Sequence, residues 1–545
     1  MKMFKKAAAF ILAAAMLFSL SACGDDGSGA VLRYPIYEEP VCLDPQIAEG
    51  TAAKTVVANC FEGLVRYDEN GEIVPGVAES WSYDSQSLTY TFKLRQDTEW
   101  KVMKKSFAPL LGDDCDETFD NRVTANDFVF AFQRALSPET NSPEASSLYA
   151  IKDAKAVHSG SASPSQLGVY ADGDYTLRIT LENSSVSQEG FLALLTQAVC
   201  MPCNEEFFNA TKGRYGLDYS TIICNGPFYL SYWTRESSLT LKANDGYKGN
   251  SEVKPASVTF FINSSNEERL TKLLDGTYCA APLGTVAASE SDGLTVSKRY
   301  DTVWSLCFNC SDSVLSNAEI RRALCGAIDS NNIVPQSDDL QKTFSIIPSS
   351  CIVAGADMSS VPVTILGFDT AKASARWSKA LSAAGISTAK LELICIAEHE
   401  NAMRRLIQDW QQTFGLSISI SISVLEQAEL DSRVKSGDYQ IALAPISADS
   451  SSASDFLLSI TSNGTNNVFR LKDSSFDSAV QNLQSLSGDE MLKACRNAEG
   501  IFLVSGAALP LFCSPSYFAV AEGVEGLYID PENSTVSFSA VTRKD

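Results

Sequence analysis

Histidine is nearly absent from this chain: His158 and His399 are the two histidines among 545 residues. The segment His399-Glu400-Asn401-Ala402-Met403 lacks the second histidine of a zinc-protease helix, and its charged side chains are expected to be solvated or to cap a helix. The sequence also contains neither a G-x-S-x-G nucleophile turn nor a phosphate-binding G-x-x-x-x-G-K loop. These absences favour a binding protein over an enzyme, with no cofactor and no metal site expected.

Positive charge is also scarce, because 43 lysines and arginines face 66 acidic residues and leave a formal net charge of -23. Such a balance argues against nucleic acid as a partner, since DNA and RNA are bound through clusters of Lys and Arg. It is compatible with cationic or zwitterionic ligands, although much of it is expected to be solvated surface.

Long hydrophobic runs are missing except at the N-terminus, where Lys2, Lys5 and Lys6 precede an apolar segment from Ala7 to Leu20. This pattern predicts an export signal over residues 1–22. The following Leu20-Ser21-Ala22-Cys23 resembles a bacterial lipoprotein box, in which Cys23 becomes the acylated first residue. Residues 23–30 would then be the anchor and a flexible tether. The alternative is an ordinary cleaved signal in which Cys23 is incidental.

Cysteine, in contrast, is abundant for an exported chain, with 15 residues. Two C-x-x-C spacings, Cys200/Cys203 and Cys307/Cys310, raise the possibility of a metal or redox site, but neither has nearby histidines or the glycines of a zinc knuckle. Cys307 and Cys310 fall in an alternating segment typical of a strand, which would point them to opposite faces. Buried thiols are therefore predicted, and disulfide pairing stays open.

An apolar run from Ile441 to Ile446 opens into Ser447-Ala448-Asp449 and a serine-rich tail. It predicts a buried strand that delivers one carboxylate to a loop, where it could be the counter-charge of a cationic ligand. The alternative is a solvated loop aspartate that caps a turn.

A series of sequence blocks runs in order along the chain. They are Phe61–Trp81 with its Asn70-Gly71 turn, the strand ending at Leu94, Val123–Pro138, Asp174–Leu181, Asn225-Gly226-Pro227-Phe228-Tyr229-Leu230 with Trp233, Asn309, Ile320–Leu324, Ile328-Asp329, Ala371–Gly385, residues 440–457, Asn463–Asp477 and Leu509-Pro510-Leu511. Together these blocks cover nearly all of the mature chain. In this order they resemble the solute-binding proteins of peptide-importing ABC transporters, above all the oligopeptide-binding branch.

The resemblance implies an α/β fold of the periplasmic-binding-protein type, with two lobes, a ligand cleft between them and an extra inserted domain. Carried over to this chain, lobe I comprises 30–55, 170–270 and 500–545, inserted domain II comprises 56–169, and lobe III comprises 271–499. Lys101–Asn121 is longer than the family's usual turn and is expected to be a surface insertion.

The resemblance also implies the ligand site. The family's aspartate for the peptide amino terminus lies in a pattern similar to Trp-x-Ala-Asp-Tyr, which corresponds here to Ile446-Ser447-Ala448-Asp449-Ser450, so both aromatics are replaced. Glu49-Gly50-Thr51 and Asn225-Gly226 match the family's backbone-pairing segments, with turn chemistry as the alternative. The implied ligand-binding residues are Asp449, Glu49, Gly50, Thr51, Asn225, Gly226 and Ser447.

The implied function is a monomeric, lipid-anchored receptor on the outer face of the cytoplasmic membrane. It would capture dipeptides or oligopeptides and deliver them to an ABC permease and its ATPase. Three alternatives stay open: a receptor of the same fold for a metal chelate, an oligosaccharide or a cell-wall peptide, a surface lipoprotein hydrolase, and a structural or adhesive lipoprotein.

Overall fold

The computed structural model describes residues 29–68, 71–183, 188–249, 252–284, 293–333, 339–353, 356–358, 361–448, 452–464, 466–483, 486, 488–530 and 534–544. Its strands are β1 Val31–Ile36, β2 Val65–Tyr67, β3 Ile73–Pro75, β4 Ala78–Asp84, β5 Thr89–Leu94, β6 Val169–Ala171, β7 Thr176–Thr180, β8 Phe228–Thr234, β9 Ser238–Ala243, β10 Ser257–Ile262, β11 Ala280–Leu283, β12 Leu294–Phe308, β13 Gln341–Lys342, β14 Ile352–Val353, β15 Ala356–Asp357, β16 Ala389–Ile396, β17 Ile418–Leu425, β18 Ile441–Ser447, β19 Ala508–Ala521, β20 Val524–Glu525, β21 Tyr528–Ile529, β22 Val536–Ser537 and β23 Thr542–Arg543.

Its α-helices are α1 Gly50–Cys60, α2 Lys104–Leu111, α3 Cys115–Thr118, α4 Ala125–Ala135, α5 Ala154–His158, α6 Gln188–Leu194, α7 Glu205–Ala210, α8 Asn266–Leu274, α9 Ala318–Gly326, α10 Thr370–Ala384, α11 Glu400–Phe414, α12 Gln427–Ser436, α13 Ala453–Ser459, α14 Ser474–Leu483 and α15 Gly488–Val504. None of the helices in the described ranges is long and apolar enough to cross a membrane.

Two four-stranded sheets form the first lobe. One has the order β1-β10-β9-β8 and the other the order β4-β5-β7-β6. Both pack into one hydrophobic core that runs from Leu32 to Ala280 and includes Val536, Phe538 and Val541 near the C-terminus. The end of the chain therefore returns to the lobe in which the described chain begins.

A seven-stranded sheet forms the second lobe, with the order β11-β19-β12-β18-β16-β17 and β13 paired to β19. β16 lies parallel to both β17 and β18, whereas β12 runs antiparallel to β18 and β19. Its core extends from Val303 to Cys513. The two-lobed α/β fold expected from the sequence is confirmed, and the predicted domain boundaries stay a prediction.

β12 and β19 connect the lobes. Their pairing starts at Leu294↔Ala521, beside a small third core that includes Leu273 and Tyr517, and it ends at Cys307↔Ala508 inside the second core. The register shifts between Arg299 and Thr302, which leaves Pro515 without a ladder partner. Because proline has no N–H to donate, it is tolerated at such an interruption. The ladder is thus interrupted between the two cores, and we call this interruption, at residues 300–301 and Pro515, the hinge. A second register shift lies inside the second core, between Trp304 and Ser305.

Short-range signals in the sequence explain several element ends. Thr124 and Asp127 form a capping box at the start of α4, with Thr124 N–H donating to the Asp127 carboxylate over 2.7 Å. Gly385 ends α10 in the left-handed region, with φ of 67°. β2 and β3 form the hairpin expected around Asn70-Gly71, although Asn70 itself is outside the described residues.

The segment Lys101–Asn121 is not the purely superficial insertion that the sequence suggested. It folds into α2 and α3, and it buries Phe107 and Cys115 completely. The ring of Phe107 meets that of Phe207 edge-on, with ring centroids 4.7 Å apart. The insertion therefore adds buried aromatic surface to the first core.

Candidate ligand-binding cleft

The two lobes face one another where α1 starts in the first lobe and where β18 ends in the second. Lys54 on α1 and Glu144 form an ion pair in the first lobe. Both act on the carboxylate of Asp455, which lies on α13 in the second lobe. Charged groups from both lobes therefore approach one another here, and this region between the lobes is the candidate ligand cleft.

Glu49, Gly50 and Thr51 are exposed on the first-lobe wall of this cleft. Glu49 is the residue before α1, and its backbone is extended. Gly50 has φ of 77°, and a Cβ there would lie 2.9 Å from Glu38 Oε1, so a larger residue would be strained and crowded. The exposed backbone of this segment is compatible with the role implied by the resemblance.

A buried ion pair holds the chain that leads into this wall. Arg134 on α4 pairs with Asp44 and donates to Gln46 Oε1 over 2.9 Å. Gln46 donates in turn to the carbonyl of Met201 over 2.9 Å, and its own carbonyl accepts from Ser142 Oγ over 2.6 Å. Burial raises the pKa of the Asp44 carboxyl, and Arg134 opposes that effect. The Arg134 guanidinium therefore stabilises the charged form of the buried Asp44 carboxylate.

The second-lobe wall is built on β18, as the apolar run predicted. Ile441, Ala442, Leu443 and Ala444 are buried, while Ser447 is exposed at the strand's end. Ser447 Oγ shares a hydrogen bond with Thr302 Oγ1 across the β12–β18 pair, at 2.9 Å. The Asp449 and Ser450 positions lie outside the described residues, so the role of Asp449 stays a prediction.

Asp301 lies at the interruption of β12, directly beneath this wall. Its carbonyl accepts a hydrogen bond from Ala448 N–H over 3.4 Å, and its carboxylate accepts one from Ser516 Oγ on β19. Asp301 also reaches the first lobe electrostatically. The pKa of Tyr37 is raised mainly by burial, is lowered by Arg269 and is raised further by Asp301. Asp301 thus connects the hinge, the end of β18 and the first lobe.

His399 is buried, which contradicts the expectation of a solvated or capping residue. Its ring lies edge-on to Trp304, with ring centroids 4.4 Å apart, and edge-on to Phe512, at 5.1 Å. Trp304 Nε1 donates to Ser514 Oγ over 3.1 Å. Burial lowers the pKa of His399, so the imidazole is neutral near pH 7. The residue follows β16 and supports β12 from below the cleft.

Asp455 carries a second-lobe charge that interacts with charged groups of the first lobe. It accepts a hydrogen bond from Ser452, whose own Oγ accepts from Asp455 N–H over 3.2 Å at the start of α13. Water can reach the carboxylate, yet burial among surrounding groups is the largest cause of its raised pKa. Glu144 raises that pKa further and Lys54 lowers it. With one cation for two carboxylates, this cluster carries an excess negative charge that a cationic ligand group would complement.

Asn225 and Gly226 are buried, and their polar groups bond within the first lobe. Asn225 Nδ2 donates to the carbonyl of Glu62 over 2.9 Å, and Asn225 Oδ1 accepts from Glu62 N–H over 3.1 Å. Gly226 N–H donates to the carbonyl of Cys60 over 2.9 Å, and its carbonyl accepts from Asn244 Nδ2 over 3.0 Å. This arrangement favours turn chemistry, the alternative interpretation of the pair, over direct ligand contact.

The cysteines in the part of the chain described here carry free thiols. No disulfide joins the described cysteines, and they are buried apart from the half-buried Cys310. β12 ends at Phe308, so Cys307 lies in the strand and Cys310 beyond it. The described residues contain no group of three or more His, Cys, Asp and Glu side chains arranged to hold a metal ion.

A cavity of about 170 Å³ lies elsewhere on the second lobe. It is lined by Phe344, Ile365, Phe368 and the start of β19. That end of β19 pairs with the end of β12 farthest from the hinge. The cavity is therefore separate from the interlobe cleft.

Sequence reasoning gave no role to Arg134, Lys54 or Asp455. Arg134 lies inside one of the matched blocks. Its partner Asp44 is far away in the chain, so no local sequence motif indicates the ion pair. Asp455 had a local signal, because Ser452-x-x-Asp455 is a capping-box pattern, but its proximity to Lys54 arises only from the approach of the two lobes.

Comparison with known proteins agrees with this architecture. The family profile of the bacterial extracellular solute-binding proteins, family 5 (middle), matches residues 72–468. The chain is 27% identical over 561 residues to the oligopeptide-binding protein OppA of Bacillus subtilis (strain 168), covering 95% of this chain and 96% of the relative. It is 25% identical over 553 residues to the dipeptide-binding protein of Lactococcus lactis subsp. cremoris (strain MG1363), covering 95% and 96%.

Among solved structures, the substrate-binding domain of an oligopeptide ABC transporter from Bacillus anthracis superposes with a TM-score of 0.75 at 22% identity. It covers 95% of this chain and 99% of that one. Because the profile alone spans well over half of the sequence, and the lobes and their crossing strands match in fold, this chain belongs to the bacterial extracellular solute-binding proteins of family 5.

Proposed function

We propose that this protein captures peptides in the cleft between its lobes and delivers them to an ABC permease and its ATPase. The full-length similarity to relatives named as oligopeptide-binding and dipeptide-binding proteins carries this proposal. The acidic cleft supports it, since a peptide brings a free ammonium group. Closure of the lobes about the β12–β19 hinge would enclose the ligand and create the surface that the permease recognises.

Within that site, Asp449 is the proposed anchor of the peptide's amino end. In the sequence it follows Ala448, which is two residues beyond Ile446, the last buried residue of β18. A charge-assisted hydrogen bond from an ammonium to this carboxylate would be strong in a closed cleft, and an unpaired carboxylate there would be costly. The asymmetry selects ligands that have a free amino end.

The ligand is tested by releasing whatever co-purifies with the protein and identifying it by mass spectrometry. We expect peptides with unmodified amino termini. Recovery of a sugar or a metal chelate, combined with failure to bind any member of a diverse peptide pool, would reject the peptide assignment.

The anchor is tested by calorimetric titration of Asp449→Asn with one recovered peptide. We expect binding at least tenfold weaker, about 1.4 kcal/mol, because the ammonium loses its charged acceptor. N-acetylation of the peptide should weaken binding to the native protein and cost little further affinity in the variant. Asp431→Asn, on the exposed face of α12, is the matched control. Unchanged affinity of Asp449→Asn would reject this residue as the anchor.

We propose that acyl chains on Cys23 anchor the protein to the membrane that contains the permease. Cys23 lies outside the described ranges. We expect the native protein to sediment with membranes and to incorporate labelled fatty acid. Cys23→Ser should do neither, because several acyl chains are needed for durable anchoring. Equal membrane association of both proteins would show that Cys23 is incidental.

A further inference from the structure

Cys60 and Cys224 lie side by side in the first lobe. Cys60 is the last residue of α1, and Cys224 precedes the Asn225-Gly226 turn far along the chain. The Cys224 thiol raises the pKa of the Cys60 thiol beyond the effect of burial, and both side chains are buried. The two thiols therefore lie close together.

The backbones around these sulfurs are also in direct contact. Gly226 N–H donates to the carbonyl of Cys60 over 2.9 Å, and a Cβ at Gly226 would lie 2.7 Å from the Cys60 carbonyl carbon. Lys101 N–H donates to the Cys224 carbonyl over 2.8 Å, and the Asn225 amide bonds twice to the Glu62 backbone. Disulfides form where the backbones of two cysteines approach closely and remain so. The Cys60 and Cys224 segments are held in such close contact by these backbone hydrogen bonds.

We propose that Cys60 and Cys224 are an oxidation site that forms an intramolecular disulfide by exchange with a small-molecule or protein disulfide. One thiol loses its proton and attacks the oxidant's S–S bond, which gives a mixed disulfide and one thiolate leaving group. The second thiol loses its proton and attacks the protein sulfur of that mixed disulfide, which releases the second thiolate. Both thiolates take up the protons, so two protein thiols are oxidised and one oxidant disulfide is reduced to two thiols.

Burial determines when this reaction occurs. It raises the pKa of the Cys60 thiol well above its usual range, and the thiolate is the attacking form. Exchange in the folded lobe is therefore slow, and the bond forms while the first lobe folds. It encloses the chain from 60 to 224, which contains the whole β4-β5-β7-β6 sheet. Closing so long a loop restricts the unfolded state strongly and stabilises the lobe.

The test refolds the full-length exported protein with glutathione disulfide, or with reduced glutathione alone, and digests it after alkylation without reductant. The oxidised sample should yield a Cys60–Cys224 cross-linked peptide and two fewer alkylated thiols. Its melting temperature should be several degrees higher. Recovery of both cysteines as alkylated peptides after oxidative refolding, or a cross-link to other cysteines, would overturn the proposal.

Matched variants separate this pair from general thiol chemistry. The double variant Cys60→Ala/Cys224→Ala should lose the difference in melting temperature between the two refolding conditions. Cys307→Ala/Cys310→Ala in the second lobe should keep it. If the first variant does not fold, the peptide map of the native sequence decides alone.

Discussion

The two walls of the cleft are built in different ways. The first-lobe wall follows a segment fixed by buried charge, in which Asp44, Gln46 and Arg134 bond to each other and to neighbouring backbone. The second-lobe wall is the end of an apolar strand, whose last described polar contact is the exposed hydroxyl pair of Ser447 and Thr302. One wall depends on a long-range ionic network, and the other depends on strand pairing with a variable polar end.

This difference teaches how a peptide receptor can keep its fold and change its ligand. The proposed backbone pairing with a peptide would need a wall of fixed shape, and the buried network would provide it. Selectivity needs side chains that can change without disturbing the core, and the exposed end of β18 provides these. At the positions of the family's two aromatics, this chain has Ile446, which is buried in the second core, and Ser450.

The largest expected effect comes from removing the buried ionic network of the first-lobe wall. Arg134→Met leaves Asp44 without its cation inside the first lobe, and we expect a loss of about 3–5 kcal/mol in the free energy of unfolding. Urea denaturation followed by circular dichroism measures it. Arg122→Met is the control, because its ion pair with Asp120 is exposed and should be worth less than about 1 kcal/mol. Equal losses in both variants would show that the buried pair does not fix the wall.

A smaller effect is expected in the second lobe, where His399 makes the stability depend on pH. Burial lowers the pKa of His399 in the folded state, so the unfolded chain binds a proton more readily. The contribution of His399 to stability is complete above about pH 6.5 and is lost as the pH falls through the lower folded-state pKa. His399→Phe keeps a ring between Trp304 and Phe512 but cannot titrate.

We therefore expect the free energy of unfolding of His399→Phe to fall less steeply than that of the native protein below pH 6.5. Parallel urea titrations between pH 5 and pH 7.5 provide the comparison. Identical slopes for the two proteins would mean that His399 is not the titrating group.

The smallest effect concerns the charges that meet between the walls. Asp455→Asn removes one of two carboxylates that face each other across the cleft, and it should raise the ligand-free closed population roughly fivefold, equivalent to about 1 kcal/mol. Lys54→Met removes the only cation of this three-residue cluster and should lower that population. Small-angle scattering or a fluorescent pair across the lobes detects both changes. Shifts in the same direction for the two variants would contradict the electrostatic coupling.

Much of the fold was accessible from the sequence because its signals are local. The apolar run at 441–446 predicted β18, and the ordered blocks implied two lobes. The burial of His399 and of Phe107 was missed, because neither position lies in a pattern that reveals which distant rings cover it.

The sequence by itself determined the family, the strand that ends beside Asp449, and the acidic, histidine-poor composition that favours binding over catalysis. Only the tertiary structure decided which charges meet: Arg134 with Asp44, Lys54 with Glu144, and both of the latter with Asp455. It likewise brought Cys60 beside Cys224. The physical reason is that hydrogen bonding and side-chain periodicity act over a few residues, whereas electrostatic and thiol contacts depend on how distant segments pack.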